Sequence, residues 1–250
     1  MKVVATYSIK GGVGKTSAAV NLGALAAADG LRTLIWDLDP QGAASFLLRI
    51  RPKVKGGARK LVRGGRDPLA VMKGTDLEGL DLLPADFSYR HLDLELDRRK
   101  RPERGVARVL EQIEDGYDLA ILDCAPSISL VSESVFAAAD LLLVPIVPST
   151  LSLRTFEQLQ GFLAKAAGPV PDVLAFLSMV DRRRKLHREL AASLPATLPS
   201  VADVAIPAAS VVELMGARRE PVVITAPRHP SAAAYRDLWR HVQGALTPPV

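Results

Sequence analysis

The sequence predicts an α/β protein with a parallel sheet and helices on both faces. Three observations carry that expectation. Apolar runs of strand length alternate with helical patterns along the whole chain. The first run, after Lys2, feeds a glycine-rich loop and then an alanine-rich helical stretch, the order strand, loop, helix. A length of 250 residues at 48% hydrophobic composition suits one large α/β core or two small ones. No internal repeat and no interdomain linker interrupts the pattern, so residues 1–250 read as a single domain. Aromatic residues make up only 5%, so Leu, Val, Ile and Ala must build the core.

The opening loop is Lys10, Gly11, Gly12, Val13, Gly14, Lys15, Thr16 and Ser17. Its glycines let backbone N–H groups turn inward around an anion. A helix starting near Thr16 adds its positive dipole end at the same point. Lys15 can neutralise phosphate charge, and the Thr16 hydroxyl can ligate Mg²⁺. The pattern departs from the standard phosphate loop at Ile9, where glycine is expected, and adds a second lysine, Lys10. Nucleotide binding is the reading these residues support.

The other elements follow in order. A helix is expected over 16–29, with Gly30 as its stop signal. Residues 32–36 read as a buried strand ending at Asp37, Leu38, Asp39, Pro40, Gln41 and Gly42. Carboxylates at i and i+2 on a strand end point to the same side. At the carboxyl edge of a parallel sheet, Asp37 and Asp39 become candidates for Mg²⁺-water coordination and for orienting an attacking water. Residues 49–66 read as a basic, mobile, loop-like segment. Asp67 and Pro68 look like a helix start. A short strand at 80–84, a weakly patterned helix at 87–99 and a helix at 102–114 come next. The strand at 117–123 ends in Asp123, a second candidate carboxylate beside the metal. Ser127 is the expected N-cap of a helix over 128–139. Strands at 141–147, 173–180 and 202–206 and helices at 151–166, 184–194 and 208–215 complete the alternation. The final helix, 231–246, places Tyr235, Leu238, Trp239, Val242 and Leu246 on one face.

Composition limits the chemistry. One cysteine, Cys124, leaves no internal disulfide framework and no cysteine-based cluster, and it reads as a small buried residue. The start of the chain resembles no signal peptide, and no apolar run is long enough to span a bilayer. The cytosol is the expected compartment. Net charge is +5 and the sequence pI is about 9.5. The excess lies in clusters over 49–66, 98–101 and 182–185, which suit a polyanion such as nucleic acid.

With these pieces in place the chain resembles the ParA family of partition ATPases, within the larger ParA/MinD group. Three stretches carry the resemblance: residues 10–16, like the group's deviant phosphate loop with its extra lysine; residues 37–42, like the first switch; and residues 117–127, like the second metal-side strand and switch. Weaker echoes are residues 80–85, Ser178 to Asp181, and Ile206 with Pro207. The resemblance implies a P-loop NTPase fold, ATP and Mg²⁺ as cofactors, and an ATP-dependent homodimer with Lys10 reaching the partner's phosphates. It implies that Lys15 holds phosphates, that Thr16, Asp37 and Asp123 support the metal, and that Asp39 positions water. It further implies slow hydrolysis stimulated by a cargo-linked ParB-like or adaptor protein, and sequence-independent DNA binding on the nucleoid.

Many relatives carry arginine after the Ile-Pro pair, where this chain has Ala208 and Ala209. Adenine recognition then falls to the backbone around Pro207 or to other side chains. DNA contact falls to other basic residues, with Arg182, Arg183, Arg184, Lys185, Arg188, Arg218 and Arg219 as candidates. No N-terminal helix-turn-helix extension is expected. The alternatives are a membrane-cycling ATPase of the MinD kind and a metabolic enzyme on the same fold. The first would need a C-terminal basic amphipathic helix beyond the fold; the 231–246 helix has a suitable face, but Tyr235 and Trp239 on it read as core. In the second class, an iron–sulfur reductase would need cysteine pairs.

Overall fold

The computed structural model describes residues 1–166 and 168–247. Among them the strands are β1 (Lys2–Thr6), β2 (Thr33–Asp37), β3 (Lys73–Gly74), β4 (Leu80–Leu83), β5 (Leu119–Asp123), β6 (Leu141–Ile146), β7 (Asp172–Val180) and β8 (Val201–Pro207). The helices of the first half are α1 (Lys15–Ala28), α2 (Ala43–Leu47), α3 (Gly57–Val62), α4 (Leu92–Asp97), α5 (Gly105–Leu110) and α6 (Leu130–Ala138). Those of the second are α7 (Thr150–Leu163), α8 (Lys185–Thr197), α9 (Ser210–Glu213), α10 (Met215–Arg218), α11 (Val222–Thr225) and α12 (Pro230–Leu246).

One sheet runs in the order β3-β4-β2-β5-β1-β6-β7-β8. All pairs are parallel except β3 with β4. β2 and β5 are buried at every residue, as strands covered on both faces must be. Alternate residues feed opposite layers. Leu34 and Trp36 join Tyr7, Leu122 and Phe136 on one face. Ile35 and Ile121 join the alanines of α1 and Tyr235, Leu238 and Trp239 of α12 on the other. α12 is tied to the end of α1 by Trp239 Nε1, which donates to Asp29 Oδ2 at 2.7 Å. No helix among the described residues is long and apolar enough to cross a membrane.

The structure differs from the sequence reading at several places, among them the short helices α2 and α11, which that reading does not contain. Residues 67–71 form turns, not a helix start: Asp67 Oδ1 accepts from Leu69 N at 2.9 Å, and Val71 N donates to Pro68 O. The two-residue strand β3 was too short to show a periodic signal. Ser129, not Ser127, caps α6, and Ser132 Oγ accepts from its N–H at 2.8 Å. The 49–66 segment is less loop-like than expected. Ala58, Leu61 and Val62 give α3 a buried face, which anchors that stretch to the core. Residues 248–250 of the expected non-helical ending lie outside the described residues.

Candidate functional site

β1 delivers the chain into residues 7–14, and α1 begins at Lys15. Gly14 sits at φ 95°, and a Cβ there would lie 2.7 Å from Ser178 Oγ at the end of β7. Only glycine lets the loop close against that strand. α1 has no side-chain cap at its start, so its first N–H groups remain available to an anion. Lys15 is buried, and its ammonium donates to Lys10 O at 3.4 Å. Burial pushes the Lys15 pKa down, and Asp123 pulls it part of the way back.

Beside the loop lies a pair of buried carboxylates. β2 and β5 are neighbours, with Asp37 directly opposite Asp123 in register. Both are fully buried. Asp37 Oδ2 accepts from Ser45 N and Ser45 Oγ, each at 2.7 Å. Asp123 Oδ1 accepts from Thr6 Oγ1 at 3.3 Å. Asp37 Oδ1 and Asp123 Oδ2 have no partner at all. Burial first, then mutual repulsion for Asp123, raises both carboxyls well above the ordinary range. Two orphaned, desolvated acceptors next to a hydroxyl fit a hard divalent cation such as Mg²⁺. Such a cation keeps several waters and needs only one or two protein carboxylates.

Asp39 has a different setting. It stands past the end of β2 and is only half-buried, with Oδ1 accepting from Gln41 N at 2.9 Å. Gly42 closes this turn at φ 69°, and Pro52 lies where its Cβ would be, at 2.9 Å.

Residues 11–17 and Asp39 line one end of a cleft of ≈ 350 Å³. The other end is walled by Ser178, Met179, Ile206, Pro207, Val212, Glu213 and Tyr235. Pro207 therefore stands in the same cleft as the loop. Met179 takes φ 56° beside an irregularity in the β7–β8 pairing, a costly conformation for a residue with a Cβ. Sequence reasoning missed Glu213 and Tyr235 as cleft residues. Tyr235 reads as core from its helical spacing, and it is both core and wall. Thr6 and Ser45, which hold the carboxylates, carry no sequence signal either. Cys124 is buried, and burial pushes its thiol pKa up, away from nucleophilic chemistry.

Lys10 lies outside this lining, exposed, with no ion-pair partner among the described residues. The basic candidates of the second half divide. Arg183 is paired with Asp181 at 3.0 Å, Lys185 with Glu189 at 3.6 Å, and Arg188 donates to the carbonyls of Arg182 and Arg183. Arg219 donates to Phe46 O at 2.8 Å and stacks over the Phe46 ring. Arg182, Arg184 and Arg218 are exposed and unpaired among the described residues. The structure does not bring Arg218 and Arg219 into the 182–188 cluster by any hydrogen bond or ion pair.

Residues 1–169 match the AAA_31 family model, described as an AAA domain. The chain is 32% identical to the chromosome partitioning protein ParA of Caulobacter vibrioides over 251 residues, covering 97% of this chain and 94% of that protein. It is 29% identical to the sporulation initiation inhibitor protein Soj of Bacillus subtilis over 247 residues, covering 96% and 98%. Among solved structures it resembles cobyrinic acid a,c-diamide synthase from Mycobacterium smegmatis with bound ATP analog and magnesium. That match has a TM-score of 0.81 at 25% identity, with 97% of this chain and 94% of that one covered.

Proposed function

This chain belongs to the ParA family of partition ATPases, and from that premise we propose that it is a dimerising, ATP-dependent positioning ATPase. Its cargo would be a plasmid, a chromosome locus or a protein complex, moved over the nucleoid in the cytoplasm. The observation that carries the reading is the pair of orphaned carboxylate oxygens on neighbouring strands, beside a buried lysine and an uncapped helix start. Bound there, ATP would supply the phosphoryl group and Mg²⁺ would supply the positive charge that stabilises its transfer.

The chain's own residues bind, orient and exclude water. The backbone of residues 11–17 and the Lys15 ammonium would hold the phosphates. Thr16 would ligate Mg²⁺, with Asp37 and Asp123 supporting it through water. Asp39, half-exposed at the phosphate end, would orient the attacking water. Pro207 would bound the adenine pocket, with the Glu213 carboxylate available to accept from the base's amine. Lys10, which the cleft does not use within one subunit, would reach the partner's phosphates. Dimerisation would then follow nucleotide state through contacts made only with ATP bound. A ParB-like or adaptor protein would stimulate hydrolysis, and sequence-independent DNA would be the track.

Light scattering with ATP, ADP and no nucleotide tests this. The wild type should dimerise only with ATP, and Lys10→Ala should bind ATP yet stay monomeric. An ATP-dependent dimer in that variant would remove the cross-subunit role of Lys10. A second reading, a nucleotide-dependent synthase, is favoured by the likeness to the M. smegmatis protein. An oligomeric state indifferent to nucleotide would favour it.

A further inference from the structure

The basic residues richest in number lie away from the cleft. Residues 51–66 carry seven basic side chains and no acid, and residues 98–101 are four basic residues in a row. The fold brings these stretches together. α3 buries Ala58, Leu61 and Val62, and α4 buries Leu92 and Leu96, which turns Arg59, Lys60 and Arg98 outward. The two helices meet at Glu95, whose carboxylate faces Arg63 at 2.8 Å, Arg98 at 3.5 Å and Arg59 at 3.9 Å. One carboxylate among three guanidiniums leaves a local surplus of positive charge. Neighbouring acids lower it without cancelling it: Asp86, Asp93, Glu95 and Asp97 stand against the eleven basic side chains of residues 51–66 and 98–101. Asp86 accepts from the N–H groups of Val54 and Ser88, and Asp93 accepts from Val131 N. Lys55, Lys60 and Lys100 are exposed and have no acidic partner among the described residues.

We propose that this α3–α4 face is a binding surface for the phosphate backbone of duplex DNA. The proposal rests on the DNA-binding part of the function proposed above, and places the contact where Ala208 and Ala209 leave none. Charge decides the class of partner. A dense array of cations suits a row of phosphates and releases their counterions. A bilayer surface would need an apolar face to insert. Here α3 exposes no large apolar side chain and α4 exposes one, Leu94, which is too little for an inserting face. The exposed Phe87 ring nearby carries the Arg90 guanidinium 3.8 Å above it. The face is also joined to the cleft. Pro52, at the start of the basic segment, packs on Gly42 in the turn that carries Asp39. A shift of that turn with nucleotide would move the segment with it.

The test uses the full chain with a non-hydrolysable ATP analogue and a labelled random-sequence duplex at several salt concentrations. The variants are Lys55→Ala/Lys60→Ala/Lys100→Ala and, separately, Arg182→Ala/Arg184→Ala. None of these residues lines the nucleotide cleft, so binding of a fluorescent ATP analogue should be unchanged and reports correct folding. The triple variant should lose at least tenfold in DNA affinity. Its log-affinity against log-salt slope should shrink by about 0.9 for each lysine that contacts a phosphate. Wild-type DNA affinity in the triple variant, or a loss confined to Arg182→Ala/Arg184→Ala, overturns the proposal. So does a triple-variant loss seen on phosphatidylserine vesicles and not on DNA. A wild-type chain that dimerises with ATP but binds no DNA overturns this surface while leaving the ATPase standing. Absence of the ATP-dependent dimer instead counts against the function itself.

Discussion

The two ends of the cleft are built on different principles. The phosphate end comes from three adjacent strands, β2, β5 and β1, and concentrates charge: a buried lysine, two fully buried carboxylates and an uncapped helix start. The base end comes from β7, β8, α9 and α12 and offers mostly apolar side chains and backbone, with Glu213 as its one charged lining residue. Desolvated charge must be placed to within a fraction of an ångström and supported, so few residue types serve. An apolar wall needs only shape, and many sequences supply that. The contrast predicts that substitutions at the phosphate end have large, all-or-none effects and those at the base end have graded ones.

Asp39→Ala should give the largest effect. Loss of a water-orienting carboxylate lowers turnover by about 10²–10⁴-fold, with ATP-dependent dimerisation retained. Single-turnover hydrolysis at the wild-type rate would move the catalytic role elsewhere. Lys15→Ala comes next. Removing a buried phosphate partner costs roughly 2–5 kcal/mol, so affinity for ATP should fall beyond ready detection by calorimetry. Retained affinity would mean that the charge at this end is not what binds.

The buried carboxylates predict a pH effect on the nucleotide-free protein. Their pKa values are raised in the folded state, so the native chain binds these protons more tightly than the unfolded chain. That stabilisation is complete below the ordinary carboxylate range near pH 4 and is lost as pH rises through the raised native values, up to about 8 for Asp123. The melting temperature should therefore fall between pH 5 and pH 8, by about 2–4 °C for each kcal/mol lost. Asp37→Asn should flatten the trend, and Mg²⁺ with nucleotide should reverse it. An identical slope in Asp37→Asn would show that the pair does not set it. The smallest effect belongs to the base end. Glu213→Ala should weaken ATP binding several-fold, the size of one ordinary solvent-exposed hydrogen bond of about 1 kcal/mol, and narrow any preference for ATP over GTP. No change in that preference would leave base recognition to backbone and shape alone.

What was legible in the sequence follows the same division. The phosphate loop, Asp37, Asp39 and Asp123 each close or follow an apolar strand, so local pattern and residue type mark them together. Ser45 and Thr6 are invisible beforehand, because a serine or threonine becomes a carboxylate's partner only when the fold brings it there. Ser178 and Glu213 reach the cleft from far along the chain, and Tyr235 hides in a helical stripe that reads as core. The 49–66 segment, rich in glycine and arginine, reads as loop because six residues are too few for a helical period to stand out above that composition.

The sequence by itself determined the alternation of strand and helix, the nucleotide loop and the carboxylates that serve it. Hydrophobic period and the narrow chemistry of phosphate binding are both written locally. The tertiary structure alone decided the rest: that Asp37 lies in register with Asp123, that Ser178 leaves no room beside Gly14, and that Arg59, Arg63 and Arg98 gather on Glu95. Strand order and helix docking set these, and they bring together residues that no local pattern links.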